Sequence, residues 1–556
     1  MIVDLDDDRS LDPGRVGAKA AWLARGRRVG LPVLPGFVVE GRASINHMRL
    51  GAETLGQRGS GGARLTITGE PLSFSDELTT RASRLGPMLV ARSSTSLEAS
   101  GEWSGAFTSY LDLGLDDLTR GVVGCWASAF TVATLERLER AAIEPGSVAI
   151  SVIVQPALHP TAGGTARVEA DGAITIIGTK GSPAPLLQGW VTGHQARVSS
   201  SSERSGHWED GWLGDELIEM LGAPTLIAIA GNMRLAGELL GATQCEWAVV
   251  DGEVWLLQLG APPQRGPASV EGIEGQLDDP HLIRLARTVV QAPGPLGEAW
   301  VLPWALGGLP DPVPTDFGSP TEAVREVTEL CAQLGGEVWA LPPESAIEAA
   351  RKCIRALRGP DPASAIEQVR RLRPPNGKVG GRLLSLVSMV RSTMVELGAA
   401  ADVESAWYLT KGDVDSVLGG STRAMATRVG IGKWEPFVAA VVLSNGHHQR
   451  GTPASSGVGA GRRCQIDDLH LTSSFRARQV ATAAQPVPGL APLLWDAAGL
   501  VTASGSPAAH LFDSARALGV PAVCGVDLPR DRLEIVAVDG YAGVVSSLPL
   551  RGGDDE

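Results

Sequence analysis

Residues 499–523 constrain the fold of this chain most strongly, because they combine the signals of a strand, a loop, a helix and a helix stop. Their order predicts a strand, a loop of small residues, a helix of about two turns that begins near His510, and a stop at Gly519 before Pro521. A histidine in a first helical turn lies near free N–H groups and the positive end of the helix dipole, which favour an anion. A neutral imidazole nitrogen is also a nucleophile. His510 is therefore either a phosphoryl carrier or a residue that merely caps its helix.

Length and composition limit the class of protein. A chain of 556 residues is expected to form roughly two to four domains. The net charge of −14 argues against nucleic acid or an anionic membrane as a partner. No apolar run approaches the roughly 18 residues of a membrane span, and the N-terminus lacks the pattern of a signal peptide. The six cysteines are scattered and predict neither a zinc site nor disulfides, so we expect a soluble, cytoplasmic protein.

Two basic residues in the N-terminal third are candidates for binding phosphate. Lys19 lies in the first turn of a predicted short helix, from which it can reach a phosphate; the alternative is an ordinary solvated lysine. Arg92 ends an apolar strand and is followed by two serines. A guanidinium and hydroxyls at a strand end suit phosphate oxygens, although a surface loop has the same composition.

Two further segments predict strands that carry polar side chains. Residues 149–155 read as a central strand that ends at Gln155. Two apolar runs around Asp251 and Gly252 predict a hairpin with a tight turn. Glu246 and Gln258 then lie on adjacent antiparallel strands, where their side-chain oxygens can face one Mg²⁺ ion.

Taken in order, these segments resemble the ATP-binding domain of the phosphoenolpyruvate synthase and pyruvate phosphate dikinase family. Residues 502–523 resemble that family's phosphohistidine domain, whose pattern is Thr-x-x-Gly-Gly-x-x-Ser-His, a helix containing Ala and Arg, and Gly-x-Pro-Ala-Val. The positions that match this pattern are Thr502, Gly505, His510, Arg516, Gly519, Pro521, Ala522 and Val523.

The resemblance implies a role for each candidate residue. His510 would carry the phosphoryl group, with Thr502, Gly505 and Arg516 in the surrounding loop and helix. The residues implied in nucleotide binding are Lys19, Arg92, Gln155, Glu246 and Gln258, and the last two would also hold Mg²⁺. The implied cofactors are thus ATP and Mg²⁺.

The resemblance also implies the domain layout. We expect an α+β multidomain protein: an ATP-grasp-like nucleotide domain at 1–262, a mostly helical acceptor domain at 276–450, and a swivelling α/β phosphohistidine domain at 456–550. Segments 262–275 and 450–456 read as linkers. Few residues follow His510, so the phosphoenolpyruvate barrel of the synthases is expected to be absent, and the layout is most similar to that of rifampin phosphotransferases.

The middle third contains several stretches with helical periodicity. In the stretch 382–397, apolar residues fall on one stripe, which is typical of a core-facing helix surface. The residues of this stripe are Leu383, Leu386, Val387, Val390, Met394 and Leu397.

Some positions depart from the family pattern. Gln244 stands where family members have Asp, and Gly260 stands where they have an Arg that helps to hold the ATP phosphates. Ser506 and Ala509 replace a Gly and a Ser near His510. Lys180, in a segment that contains Glu in the family, is a candidate substitute cation.

The function implied is transfer of a phosphoryl group from ATP through His510 to a hydroxyl of a small molecule, with release of AMP and phosphate. One alternative is a degenerate, non-catalytic member that binds a nucleotide or a partner. A second is an enzyme that phosphorylates a hydroxyl only to eliminate it, which gives a dehydration. The sequence specifies neither the acceptor nor the oligomeric state.

Overall fold

A computed structural model describes most of the chain, and its contacts divide that chain into two units. The described residues are 1–169, 171–199, 215–261, 277–306, 308–316, 318–358, 363–420, 434–467, 475, 478–529 and 533–550. Unit one comprises Met1–Arg265, Ala484–Trp495 and Ser504–Gly519, and unit two comprises Gly266–Ala483, Asp496–Ala503 and Val520–Glu556. The predicted linker at 262–275 lies outside the described residues, and the predicted three-domain layout stays a prediction. The coarser prediction, a multidomain α+β protein, is confirmed.

Unit one is built on two five-stranded sheets in which every neighbouring pair is antiparallel. Its strands are β1 (Ile2–Asp4), β2 (Phe37–Val39), β3 (Leu89–Ser94), β4 (Ser109–Leu113), β5 (Ser151–Pro156), β6 (Ala162–Val168), β7 (Ile174–Lys180), β8 (His194–Val198), β9 (Gln244–Val250) and β10 (Glu253–Gly260). The first sheet has the order β1-β2-β5-β3-β4, and the second has the order β10-β9-β6-β7-β8. The predicted central strand at 149–155 is β5, which lies in the middle of the first sheet.

Helices cover these sheets. The described ones in chain order are α1 (Pro13–Arg28), α2 (Ile45–Gly69), α3 (Ser75–Ala82), α4 (Leu118–Ala127), α5 (Val132–Arg140), α6 (Ala184–Leu187), α7 (Asp215–Leu221) and α8 (Ala223–Leu240). Helix α1 begins where it does because Asp12 accepts a hydrogen bond from the Gly14 amide and Pro13 occupies the first helical position.

The β9–β10 hairpin confirms the prediction made from its turn residues. Asp251 and Gly252 have φ angles of 51° and 81°, as a two-residue hairpin turn requires. The register places Glu246 opposite Gln258. Side chains alternate across the sheet, so that Cys245 and Trp247 enter an apolar core shared with α1 and α8 while Glu246 faces the other way.

Unit two contains one eight-stranded mixed sheet of order β11-β18-β17-β13-β14-β15-β16-β12. The strands are β11 (His447–Arg450), β12 (Thr452–Ser455), β13 (Val458–Ile466), β14 (Val480–Ala483), β15 (Gly499–Thr502), β16 (Ala522–Cys524), β17 (Glu534–Asp539) and β18 (Val544–Pro549). Strands β13 to β16 are parallel to one another, and the remaining pairs are antiparallel.

The helices of unit two confirm the prediction that the middle third is mostly helical. They are α9 (Pro280–Gln291), α10 (Gly294–Trp300), α11 (Leu302–Ala305), α12 (Pro320–Trp339), α13 (Pro343–Leu357), α14 (Ala363–Arg370), α15 (Gly377–Glu396), α16 (Lys411–Leu418) and α17 (Glu435–Asn445). The predicted stripe on α15 is buried with one exception. Leu397 is 55% exposed because the helix ends at Glu396, so its assignment to the core was wrong.

The last helix is α18 (His510–Leu518), which by its contacts belongs to unit one. It ends at Gly519, whose φ of 70° gives the left-handed cap that the sequence predicts. Among the described helices, none alone has the length and apolar character needed to cross a membrane; residues 115–130 and 132–140 satisfy that test only as a pair bent by 52°.

Candidate active site

Unit one contains a cleft whose walls come from α1, the loop after β3, the β9–β10 hairpin and the start of α18. The polar and glycine residues that line it are Lys19, Glu98, Gly101, Ser104, Gly105, Gln244, Gln258, Gly260, His510 and Asp513. A side pocket adjoins the cleft and shares Gln244, Gln258 and Asp513 with it; Arg167 and Glu246 line the side pocket. The predicted carrier histidine and several predicted nucleotide-binding residues thus lie around one space.

A bend in α1 places Lys19 at the cleft. The bend is at Gly17, whose φ of 76° favours glycine, and a Cβ atom there would lie 2.3 Å from the carbonyl group of Ser94. Beyond the bend, the Ala20 amide donates a hydrogen bond of 3.1 Å to Ser94 Oγ. This contact fixes the helix to the end of β3 and brings Lys19 Nζ to 2.6 Å from Glu98 Oε1.

Glu98 is a buried carboxylate held by its own short helix. The Thr95 amide donates a hydrogen bond of 3.0 Å to Glu98 Oε2, and the Glu98 side chain is 3% exposed. A buried carboxylate requires a cation or donors to offset its lost hydration. Lys19 supplies that cation, so it is not the solvated surface lysine that the sequence left open.

Arg92 extends from β3 toward the hairpin. Its Nη2 atom lies 3.3 Å from Glu246 Oε2 and 3.4 Å from Gln258 Oε1, and its Nη1 donates a hydrogen bond to the carbonyl oxygen of Leu257. Arg92 therefore joins the two sheets of unit one. The two serines that follow it, Ser93 and Ser94, are buried residues of β3 and not part of a surface loop. The predicted binding of phosphate by Arg92 stays a prediction.

The same geometry tests whether the residues present fit a magnesium ion. The side-chain oxygens of Glu246 and Gln258 converge on one cationic group, the Arg92 guanidinium, so the two oxygens already face a common positive charge. Carboxylate and amide oxygens are ligands that Mg²⁺ accepts, and it fills its remaining positions with water and phosphate oxygens. No group of three or more potential metal-binding side chains occurs among the described residues. The pair thus fits an ion that is held mainly by a bound nucleotide.

The two departures from the family pattern on the hairpin are neighbours. Gln244 and Gly260 lie directly opposite each other on β9 and β10. The resemblance places an Asp and an Arg at these two positions, and directly opposed residues of neighbouring strands are close enough to interact. Both charges are therefore absent together in this chain.

His510 occupies the first position of α18 and packs against a glycine of the loop after β3. A Cβ atom on Gly105, whose φ is 66°, would lie 3.1 Å from the Cβ of His510. His510 Nδ1 lies 2.9 Å from Ser104 Oγ and 3.4 Å from Asp513 Oδ2. No hydrogen bond to Nε2 occurs within the described part of the chain, so Nε2 is the ring nitrogen left for chemistry.

Asp513 is the hub of a buried polar network. Its Oδ1 accepts hydrogen bonds from Arg516 at 2.6 Å and Arg167 at 3.2 Å, and its Oδ2 accepts one from Ser104 at 3.1 Å. Burial alone would raise the pKa of this carboxyl group. The charge of Arg516, followed by the hydrogen bond with His510 and the charge of Arg167, outweighs burial and holds the pKa well below its usual range. Asp513 is therefore ionised and favours a proton on Nδ1 of His510.

The remaining residues of the predicted histidine loop contact other parts of the backbone or are buried. Arg516 also donates to the carbonyl oxygen of Pro507 at 3.2 Å. Gly505 has a φ of 102°, and a Cβ atom there would lie 2.4 Å from the ring of Pro486. Thr502, in unit two, is the buried last residue of β15. The roles that the resemblance implies for these residues stay predictions.

Three of the cation and nucleotide-binding candidates line neither the cleft nor the side pocket: Arg92, whose contacts are given above, Gln155 and Lys180. Gln155 is 2% exposed, and its side-chain amide donates a hydrogen bond of 3.0 Å to the carbonyl oxygen of Leu34. We therefore assign it to the scaffold and omit it from the site proposed below. Lys180 is exposed at the end of β7, opposite Ala162, on the sheet face that carries the core residues of β6. Its position does not suit the substitute-cation role.

Sequence reasoning missed several residues of this network. Asp513 lies one helical turn after His510, a spacing that was visible in the sequence. Ser104 and Arg167 come from segments more than 300 residues away from α18, and their local sequence carries no signal for the contact.

Comparisons with known proteins match the part of the chain that contains His510. Residues 475–543, which include His510, match the family described as "PEP-utilising enzyme, mobile domain". A probable phosphoenolpyruvate synthase of Methanothermobacter thermautotrophicus is 26% identical over 168 residues, which is 30% of this chain and 23% of that protein. One of Staphylothermus marinus is 35% identical over 102 residues, or 17% of this chain and 12% of that protein.

An uncharacterized phosphotransferase of Bacillus subtilis is 31% identical over 118 residues, or 20% of this chain and 14% of that protein. The matches span less than a quarter of the length of these relatives. They confirm the resemblance to the phosphoenolpyruvate synthase family that the residues around His510 predict.

Proposed function

We propose that this protein is an ATP-dependent phosphotransferase in which His510 accepts a phosphoryl group from ATP and passes it to a hydroxyl group of a small molecule. The observation that carries the proposal is that His510 and Lys19 line one cleft, next to the Glu246–Gln258 pair. A carrier histidine must approach the nucleotide that charges it, and the position of His510 beside Lys19 supports the proposal for that reason.

The first step transfers the β-phosphoryl group. The lone pair of His510 Nε2 attacks the β-phosphorus, and the bond from that phosphorus to the oxygen bridging the α-phosphate breaks, so that AMP leaves. One water molecule cleaves the β–γ anhydride and releases the γ-phosphate. ATP, water and His510 thus give AMP, phosphate, phosphohistidine and a proton. A covalent intermediate of this kind divides one difficult transfer into two easier steps.

The second step returns the histidine to its starting form. The hydroxyl oxygen of the acceptor attacks phosphorus, the bond between phosphorus and Nε2 breaks, and the hydroxyl proton leaves. The rifampin phosphotransferases, which the layout resembles, are the guide for proposing a small-molecule hydroxyl.

Residues in and beside the cleft would bind and orient the reactants. Lys19 and Arg92 would hold phosphate oxygens, exchanging their present carboxylate partners for the nucleotide. Glu246 and Gln258 would hold Mg²⁺, which when bound neutralises phosphate charge. Glu246 is released for this role when Arg92 turns to a phosphate.

The carrier nitrogen is oriented by groups around Nδ1. With Nδ1 protonated, it donates toward Ser104 or Asp513, and the Nε2 lone pair is directed away from them. The ionised Asp513 stabilises positive charge on the imidazole as the bond to phosphorus forms. The fold of unit one, with site residues drawn from two antiparallel sheets, supports an ATP-grasp-like assignment.

A non-catalytic role is the second candidate, and one observation favours it. The opposed Gln244 and Gly260 remove two charges from the hairpin, and Lys19 and Arg92 are both paired with carboxylates of the chain. In this alternative, the cleft binds a nucleotide or a partner and His510 is never phosphorylated.

ATP labelled at either the β- or the γ-phosphate distinguishes the phosphotransferase from the non-catalytic protein. The chain is incubated with Mg²⁺ and either [β-³²P]ATP or [γ-³²P]ATP, with His510→Ala as the control. We expect acid-labile, base-stable label from the β-position only, γ-label in free phosphate, and no label on His510→Ala. Absence of β-label, or β-label that persists in His510→Ala, would refute the carrier function. Analysis of products with candidate acceptors then separates a phosphorylated product from a dehydrated one.

A further inference from the structure

Three positions of the second sheet lie side by side on the face that borders the cleft. Gly260 on β10 pairs with Gln244 on β9, and Gln244 pairs with Arg167 on β6. Directly opposed residues of antiparallel strands point to the same face, and neighbouring strands are about 4.8 Å apart. Arg167 therefore flanks Gln244 on one side, and the position without a side chain, Gly260, flanks it on the other.

The arginine that the family resemblance expects on the hairpin is absent at Gly260. Gln244 lines both the cleft and the side pocket, whereas Gly260 lines the cleft and Arg167 lines the side pocket. Asp513 also lines both spaces, and its Oδ1 lies 3.2 Å from Nη2 of Arg167, so the guanidinium of Arg167 lies beside the residues that the cleft and the side pocket share. A guanidinium can therefore reach the same space from β6 that the family's arginine would reach from β10.

We propose that Arg167 binds the β- and γ-phosphates of the nucleotide and so takes the place of the arginine missing at Gly260. This inference rests on the proposed function insofar as the ligand is ATP. It names a residue that neither the sequence pattern nor the family resemblance assigns to the site.

The contacts of Arg167 suit a residue that changes partner. Its side chain is 23% exposed, and Nη2 lies 3.2 Å from Asp513 Oδ1. Arg516 lies closer to the same oxygen, at 2.6 Å, and Ser104 donates to the other oxygen. When Arg167 turns to a phosphate, Asp513 therefore keeps a cation and a hydrogen-bond donor. Burial lowers the pKa of Arg167 to about 10, so the guanidinium is still charged at neutral pH.

The location of Arg167 also indicates which phosphates it binds. Asp513 lies 3.4 Å from Nδ1 of His510, so Arg167 is joined to the carrier through one carboxylate. Only the imidazole ring separates this network from the phosphorus that Nε2 would attack, so the β- and γ-phosphates are the part of the nucleotide that Arg167 would reach. A planar guanidinium can hold two phosphate oxygens at once.

The other basic side chains of this sheet do not meet these conditions. Lys180 is on the opposite face, as described above. Arg197 lies in the same cross-strand row, on β8 beyond Thr175, but it pairs with Asp171 and lines neither the cleft nor the side pocket. Arg197 is therefore a matched control for Arg167.

The test measures nucleotide affinity without turnover. Binding of MgATP and of AMP to the full chain is measured by calorimetry in a His510→Ala background, alone and combined with Arg167→Ala, Arg197→Ala, or Arg167→Ala plus Gly260→Arg. We expect Arg167→Ala to weaken ATP binding at least about tenfold and AMP binding little, as loss of a charged hydrogen bond to the distal phosphates predicts. Gly260→Arg should restore most of the ATP affinity, and Arg197→Ala should leave it unchanged.

Each other result decides against the inference. An unchanged ATP affinity in Arg167→Ala overturns it, and equal weakening of ATP and AMP assigns Arg167 a structural role instead. Thermal melting of each variant and rescue of Arg167→Ala by added guanidinium ions guard against a folding defect. If the parent chain binds no ATP, the proposed function fails as well. If the His510→Ala parent binds ATP and the unmutated chain becomes labelled, while addition of Arg167→Ala leaves ATP binding unchanged, only the assignment of Arg167 fails.

Discussion

Two parts of the cleft in unit one differ in how their charges are arranged: the carrier helix α18 and the β9–β10 hairpin. On α18, His510, Asp513 and Arg516 form a continuous network in which each buried polar group has a partner. On the hairpin, Glu246 and Gln258 face Arg92, but the row beside them holds Gln244 and Gly260 where a charged pair is expected. Charges at opposed positions are costly to lose singly, because the remaining one is left unpaired. The comparison shows how a site can lose a charged pair, here at Gln244 and Gly260, while a neighbouring strand carries a guanidinium, that of Arg167, beside the same positions.

The largest expected effect comes from breaking the network on α18. Asp513→Asn removes the carboxylate shared by Arg167 and Arg516, and leaves two buried guanidinium groups without their anion. We expect the free energy of unfolding of unit one to fall by about 3–5 kcal/mol, the usual cost of removing one partner of a buried pair. Denaturant unfolding measures it, with the exposed Asp116→Asn as control. Equal stability of the two variants would show that the network contributes nothing.

A substitution on the β9–β10 hairpin should have a smaller effect, and we expect it to change the affinity for Mg²⁺. Glu246→Gln keeps an oxygen at the position but removes its charge, so Mg²⁺ is held less well while the strand pairing stays intact. We expect the Mg²⁺ concentration for half-maximal labelling by [β-³²P]ATP to rise at least about tenfold, or roughly 1.4 kcal/mol. Glu253→Gln, an exposed change on the same hairpin, is the control. A Mg²⁺ dependence shared by both variants would remove Glu246 from the metal site.

The smallest effect concerns pH. Because the pKa of Asp513 is lowered in the folded state, the stability that this group contributes is present above its unfolded pKa of roughly 4 and is lost as pH falls toward the lower folded value. The stability difference between the parent chain and Asp513→Asn should therefore be constant near neutral pH and shrink below about pH 4. Unfolding curves at a series of pH values measure this. A gap that stays constant down to acid unfolding would mean that Asp513 is not ionised in the fold.

Local signals were enough to predict several features of the site. The Asp251–Gly252 turn predicts the hairpin itself, but its register alone would place Glu246 opposite Leu257. A register shift between Leu256 and Gln258, which the turn residues do not predict, brings Gln258 opposite Glu246. The start of α18 at His510 and its stop at Gly519 also follow from local rules. Such features depend on residues that are neighbours in the sequence, so one sequence is enough to predict them.

Contacts between segments that are distant in the chain could not be predicted from the sequence. Ser104 meets His510 across 406 positions, and Arg167 meets Asp513 across 346. The same limit applies to Lys180 and Gln155, since the face of β7 that carries Lys180 and the burial of Gln155 depend on how the strands pair. Leu397 failed for a local reason: the apolar stripe continued one residue past the end of the helix.

The proposed carrier function of His510 depends most directly on which atom of the chain carries the phosphoryl group. After incubation with MgATP, the chain is denatured in base and examined by ³¹P NMR, with peptide mass spectrometry to locate the modified residue. Because Nδ1 faces Ser104 and Asp513 while no described residue hydrogen-bonds to Nε2, we predict a single phosphoramidate signal of the Nε2 type, on His510, that is absent from His510→Ala. A phosphoryl group on Nδ1, on another residue, or on no residue while ATP is consumed would contradict it.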